Sequence, residues 1–381
     1  MTSLQAGTAS ESKTMRGVHL TGYGGVEKLV HREDIPVPEL KAGEVLIKVG
    51  ACGMNNTDIN LRSGWYDRDV NTSLSEDVGL KGSDKHSSNE RPDAANSWNQ
   101  KSVLFPRIQG AAVVGSIVAV SSAEDSGRVG QRVIVDPQVR DFSLPLRAQL
   151  VEYLGGDRDG GFAEYVAVPG PNAYQINSTL SDAELATFPT SYDTAEEMLV
   201  RVRLAKDEVV VITGAAGGVG TALIQLALIR GAVVIAIAGK DKEQQLLDLG
   251  ARHFIARDDG SVGAKIEAIV GSKGIDVFVD VVGGPLFGEI LKKLTRGGRY
   301  ATAGAIAGPI QPFDLRDLIY KDLEMYGITC PTPETFASVL TYIEQGRLKP
   351  ILAKSFSLHE LPDAQAELVK RSHVGKFVVV P

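Results

Sequence analysis

The sequence predicts an α/β protein in which a doubly wound parallel sheet sits beside a β-rich domain. Three observations predict this. From about Asp182 onward, apolar runs of strand length alternate with helical stretches, the order a doubly wound sheet requires. One of these runs, 208–213, breaks into Gly214-Ala-Ala-Gly217-Gly218-Val-Gly220 and resumes as an alanine- and leucine-rich helix through Arg230. Before about Pro171, short strand-like runs are instead punctuated by Gly, Pro and Asp.

Taken in chain order, residues 1–14 are polar and lack the apolar h-region of a secretory signal. Residues 45–49, Val-Leu-Ile-Lys-Val, alternate as a half-buried strand does, and 115–120 and 131–135 are further strand candidates. Residues 67–102 are polar and charged, with almost no apolar periodicity. A structureless segment of that length is expected to be a lid, an interface element or a mobile surface loop. The later strands are expected at 209–213, 233–238, 254–255, 277–281 and 299–303. The chain closes on Gly375-Lys-Phe-Val-Val-Val380, a strand expected to rejoin the first domain. The expected division is therefore 1–180 with the 67–102 insertion, then 181–328, then a return segment 329–381.

The 381 residues suffice for two cores. With 43% hydrophobic and 23% charged residues the composition is that of an ordinary globular enzyme. A net charge of −7 gives no reason to expect nucleic acid or an anionic membrane as partner. No apolar run reaches membrane-spanning length. Two cysteines, Cys52 and Cys330, allow no disulfide framework and suggest a reducing, cytoplasmic setting.

The glycine loop carries the first chemical inference. Gly217 lets a diphosphate approach the backbone, and Gly220 lets the helix pack closely on the strand. The helix N-terminus offers free N–H groups to the phosphates. Ala215 stands where the first glycine of the usual pattern falls, so the flanking strand and helix carry the reading of a dinucleotide site formed by Ala215, Gly217, Gly218, Val219 and Gly220. The next strand ends in Ala238-Gly239-Lys240, without the carboxylate that binds a ribose 2′-hydroxyl in NAD sites. Lys240, with Arg257 after the third strand, favours NADP(H), unless both are simply solvated surface cations.

With these residues in view, the chain resembles the medium-chain dehydrogenase/reductase superfamily, specifically its zinc-independent, quinone-oxidoreductase-like branch. The resemblance runs through Gly43-Glu-Val-Leu-Ile-Lys-Val49, Asn55-Asn-Thr-Asp58, Arg62-Ser-Gly-Trp-Tyr66, Gly161-Phe-Ala-Glu-Tyr-Val166, the glycine loop and Asp276-Val-Phe-Val-Asp280. It continues through Gly297-Gly-Arg-Tyr-Ala-Thr-Ala-Gly304 and Gly375-Lys-Phe-Val-Val. It implies a Rossmann cofactor domain plus a GroES-like catalytic domain. It also marks departures from the zinc enzymes of the superfamily. Asn55 stands where they carry a cysteine ligand, and Gly110-Ala111-Ala112 stands where they carry Gly-His-Glu. Two cysteines are too few for their structural zinc lobe. No metal is expected.

Without a Lewis acid, oxidising an alcohol is hard, whereas hydride delivery to a quinone or an α,β-unsaturated carbonyl is easier. The resemblance implies Asn55 as a donor to the developing oxyanion and Tyr66 as a group that orients the carbonyl or relays a proton. Tyr66 has the alternative of packing against Trp65. Asp58 is either catalytic or a structural acid holding backbone or Arg62. Asn60, Trp65 and Tyr192 are expected in the substrate pocket, and Asn60 makes it more polar than a simple quinone would need. Thr194 and the 304–306 loop, Gly304, Ala305 and Ile306, are expected beside the nicotinamide. Alanine at 112 removes a charge near the cleft that relatives commonly carry. The alternatives to an enone or quinone reductase are a metal-free carbonyl reductase or alcohol dehydrogenase, and an NADPH-binding protein with little catalysis whose 67–102 segment docks a partner. The last strands of the cofactor domain are expected to pair across a homodimer axis.

Overall fold

The computed structural model describes residues 14–83, 103–145 and 148–381. The cofactor half is a six-stranded sheet in the order His253–Ala256, Val233–Ala238, Val209–Thr213, Ile275–Asp280, Leu294–Thr302 and Glu324–Gly327. Every neighbouring pair in it is parallel. Its inner strands are near-continuous runs of Val, Ile and Ala because both faces are covered by helices. The chain builds outward on one side from Val209–Thr213, then crosses to Ile275–Asp280 and builds outward on the other. The crevice at that reversal is where a doubly wound sheet binds ligand.

The helix Gly218–Ile229 is largely apolar, and Gly220 to Ala227 are buried. It lies between the sheet and the helix Ser191–Arg201, which contributes Tyr192, Ala195, Met198 and Leu199 to the same core.

The first half is antiparallel around a long central strand, Glu44–Gly53. That strand pairs with Ala112–Val120, with Tyr165–Pro169 and with the terminal strand Lys376–Val380. The register sets Val378 against Gly53 and Val379 against Cys52, which pairs the end of the chain with the central strand. The return begins later than position 329. The helix Pro333–Glu344 stays on the cofactor side, packed against Ser191–Arg201 through Phe336, Val339, Leu340 and Ile343. The first strand to rejoin is Leu352–Ser357, parallel to Lys376–Val380.

The start of the insertion is ordered, contrary to its polar composition. Leu74 is buried, its N–H donates to the Ile306 carbonyl at 2.8 Å, and a short helix Glu76–Lys81 follows. Two apolar residues, Val70 and Leu74, anchor a stretch that shows no periodicity. Residues 84–102 lie outside the described residues. Among the described residues no helix is long and apolar enough to cross a membrane.

Candidate active site

A cleft of about 330 Å³ opens at the sheet's switch point and is walled by both halves of the chain. Its floor is the glycine loop, where Gly214 takes a φ of 61° and Gly217 caps the helix Gly218–Ile229. Gly220 is required by contact: a β-carbon there would stand 2.2 Å from the Gly214 carbonyl oxygen. Gly217, Gly218, Val219 and Gly220 all line the cleft. Ala215 does not. It is fully buried, and its N–H donates to the Ile237 carbonyl at 3.2 Å, tying the loop to the next strand while Ala216 faces the cleft.

The wall opposite is built by the turn after Glu44–Gly53. Asn55 precedes the helix Asn56–Arg62 and is buried but reaches the cleft. Its Nδ2 donates to the Gly53 carbonyl at 3.2 Å, and its Oδ1 accepts from Lys376 Nζ at 2.7 Å. Tyr66 lines the same wall, its hydroxyl donating to Thr57 Oγ1 at 3.3 Å, with Trp65 edge-on beside it. Burial raises the Tyr66 phenol, so it stays protonated at neutral pH. Asn60 and Trp65 line the cleft, and Asn60 Oδ1 has no hydrogen-bond partner among the described residues. Thr194 and Gly304, Ala305 and Ile306 also reach the cleft.

Besides Ala215, two more expected site residues lie outside the cleft wall. Tyr192 belongs to the core: its ring meets Phe188 edge-on and its hydroxyl is held by Gln225 Nε2 at 2.7 Å. It stands two positions from Thr194, about 200° around the helix, and so points away from the cleft. Asp58 does not line the cleft either. Its carboxylate accepts the Asn55 backbone N–H at 2.8 Å, the work of a capping residue. Burial pushes it up to about 6 against the pull of that hydrogen bond and of the Lys376 charge. Arg62 is not its partner, since that guanidinium is spent on Gln365 and on the carbonyls of Gly24 and Gly79.

At the other end the cleft has a cationic rim. Gly239 and Arg257 line it, whereas Lys240 is exposed and outside it. A turn at Lys240–Lys242 brings Lys242 inward instead, where its ammonium donates to the Ser372 carbonyl and pairs with Asp241. Arg371 and His373 complete the rim from the return segment. Burial and then the charge of Arg257 lower Arg371, and burial and then Lys242 lower His373, so positive groups crowd together here. Lys242, Arg371, His373 and Lys376 were not among the expected site residues. For Lys376 the signal was present, a lysine opening an otherwise apolar strand.

Comparison with known proteins agrees with this geometry. Residues 41–178 match the alcohol dehydrogenase GroES-like domain, and residues 218–345 match the zinc-binding dehydrogenase domain. Quinone oxidoreductase of Homo sapiens is 28% identical over 98% of this chain and 99% of its own length. An NAD-dependent alcohol dehydrogenase of Sulfurisphaera tokodaii is 26% identical over 96% of this chain and 100% of its own length. A solved structure from Sinorhizobium meliloti 1021, provisionally described as an alcohol dehydrogenase, is 44% identical with a TM-score of 0.84 and covers 98% of both chains.

Proposed function

The chain belongs to the medium-chain dehydrogenase/reductase superfamily as an oxidoreductase, and from that premise we propose that it uses NADP(H) without a metal. Its substrate in this reading is an activated acceptor, a quinone or an α,β-unsaturated carbonyl. The observation that carries the reading is the chemistry of the wall facing the glycine loop: an amide, a phenol, hydroxyls and an ammonium, with Ala111 and Ala112 buried beyond it. A catalytic zinc needs Cys, His or carboxylate ligands in a tetrahedron with one open position. Asn55 has its amide oxygen tied to Lys376, Asp58 caps a helix, and only His373 of the described histidines reaches the cleft. That donor set does not fit zinc.

A bound reduced nicotinamide would supply the hydride. Asn55 Nδ2 has one N–H left to donate to the oxygen that gains charge, which is where a donor lowers the barrier most. The Tyr66 hydroxyl, backed by Thr57, orients the carbonyl or passes a proton to it. Thr194 and the 304–306 loop hold the ring side of the cleft, and the amide ends at Gly217–Gly220 hold the phosphates. Lys242, Arg257 and Arg371 favour a 2′-phosphate, and the carboxylate of Asp241 is already engaged by Lys242.

The second reading is a metal-free carbonyl reductase, favoured by the hydroxyl pair of Tyr66 and Thr57, which suits a carbonyl oxygen as well as an enolate. A cytoplasmic homodimer is part of the proposal. Among the described residues Glu324–Gly327 is an edge strand of the sheet, and exposed Leu315, Ile319, Tyr320 and Met325 lie in or beside it in sequence; sedimentation equilibrium tests this.

The deciding experiment is oxidation of NADPH and of NADH against quinones, enones and simple ketones, with and without EDTA, followed by product analysis. Turnover of enones or quinones that survives EDTA and prefers NADPH supports the proposal. An alcohol product moves the assignment to the carbonyl reductase, and loss of turnover in EDTA overturns the metal-free reading.

A further inference from the structure

One ammonium stands within the cleft wall beside Asn55. Lys376 is buried, yet its side chain lines the cleft. Its stem passes over the glycine loop, where a β-carbon on Gly218 would stand 2.9 Å from Lys376 Cγ. Its Nζ donates to Asn55 Oδ1 at 2.7 Å and to the Pro189 carbonyl at 3.1 Å. The antiparallel pairing of Lys376–Val380 with Glu44–Gly53 fixes this meeting, since Met54 N–H donates to the Phe377 carbonyl at 2.9 Å and sets Lys376 level with Asn55.

We propose that Lys376 is the positioning residue of Asn55: its ammonium holds the amide oxygen inward, turns an N–H toward the cleft, and strengthens that N–H as a donor to the reacting oxygen. The proposal rests on the reading of Asn55 as the oxyanion donor. Its physical basis is general. An amide whose oxygen binds a cation becomes a better N–H donor, and a low-dielectric site magnifies the effect. A fixed donor also costs no reorganisation when charge develops. The ammonium thereby supplies positive charge at a site without metal ligands. The titratable groups facing it are Asp193 on the helix Ser191–Arg201, Asp58 on the helix Asn56–Arg62, and the Cys52 thiol on the central strand, which burial pushes up and so keeps neutral. Burial lowers Lys376 to about 8 against the pull of these groups, so it is charged at neutral pH and titrates within reach.

Two measurements test it. The first is the side-chain amide 15N resonance of Asn55 followed across pH in the wild-type protein and in Lys376→Met. A step near pH 8 that vanishes in the variant is the expected result; an Asn55 amide that does not respond to Lys376 overturns the coupling, whether or not any acceptor is turned over. The second is steady-state kinetics of Lys376→Met, Asn55→Ala and the double variant on an acceptor the wild type reduces. kcat should fall about a hundredfold in Lys376→Met, with NADPH affinity, read by fluorescence titration, within threefold of wild type. The double variant should be no slower than Asn55→Ala alone. Multiplicative losses, or Lys376→Met turnover within threefold of wild type, overturn the proposal. Failure of the wild type on every acceptor instead overturns the functional reading and leaves the amide titration to decide the role of Lys376.

Discussion

Replacing Asp193 by Asn should stabilise the protein, and do so increasingly as pH rises. Asp193 lies in the first turn of Ser191–Arg201, 1% exposed, and its Oδ1 has no hydrogen-bond partner among the described residues. Burial, and then repulsion from Asp136, push its carboxyl from 3.8 up to about 7. That value already contains the opposing attraction of Lys376, so the remaining cost is net. A carboxyl raised on folding contributes no penalty below pH 4, where both states are protonated. As pH climbs toward 7 the unfolded chain ionises first, and stability is lost through that window. About three pH units at about 1.4 kcal/mol each gives about 4 kcal/mol lost by pH 8. Asn keeps the shape and cannot ionise. At about 2–4 °C per kcal/mol, the variant should melt about 10 °C above the wild type at pH 8 and level with it at pH 4. Thermal melting of both proteins at half-unit steps from pH 4 to 8 reads this, because carboxyls that are not coupled to Asp193 cancel in the difference. Two parallel melting curves, with a gap that does not change with pH, would refute the argument that Asp193 is buried against its charge.

Three further outcomes follow from the site. Asn55→Ala should lower kcat by about 10²–10³ with cofactor affinity unchanged, as loss of one oxyanion donor does; a loss confined to cofactor binding contradicts the role given to its amide. Arg257→Ala should cut the ratio of kcat/KM for NADPH over NADH about tenfold, because Arg257 is half exposed and a single screened phosphate contact is worth about 1–2 kcal/mol. Equal losses with both cofactors would remove it from the 2′-phosphate. Gly220→Ala should abolish cofactor binding in fluorescence titration, since its β-carbon would overlap the Gly214 carbonyl and the Ala215 backbone, neither of which is a flexible side-chain end.

What the sequence revealed of this site follows the range of each interaction. The glycine loop is one contiguous stretch, so its strand, turn and helix could be read together. Asn55 and Asp58 are three residues apart, and that spacing also announces a helix cap, which is the role Asp58 takes. Tyr192 was misplaced because proximity to Thr194 in sequence does not say which helical face a residue occupies. Lys240 and Lys242 differ by two positions within one tight turn, enough to exchange solvent for the cleft. The start of the insertion is ordered for a different reason. Leu74 and Val70 are too few to make a period, yet two buried anchors suffice to order a segment.

The groups least legible in the sequence are those on the return strand, and they tie the site together. Gly375 N–H donates to the Ala216 carbonyl at 2.9 Å, and the next residue gives its ammonium to Asn55. One dipeptide therefore joins the glycine loop, proposed to hold the phosphates, to the amide proposed to meet the substrate oxygen. Arg371, four residues earlier, reaches the rim and donates to the Leu74 carbonyl at 2.6 Å, while the Leu74 N–H holds the Ile306 carbonyl of the ring-side loop. Three parts of the cleft are thus fixed by a segment more than 300 positions from Asn55 in the chain. A donor is useful in catalysis only if it is already in place when charge develops. The pairing of the terminal strand with Glu44–Gly53 therefore does more than finish a sheet: it sets the distance between the glycine loop and the proposed oxyanion donor Asn55, with strand pairing as the ruler.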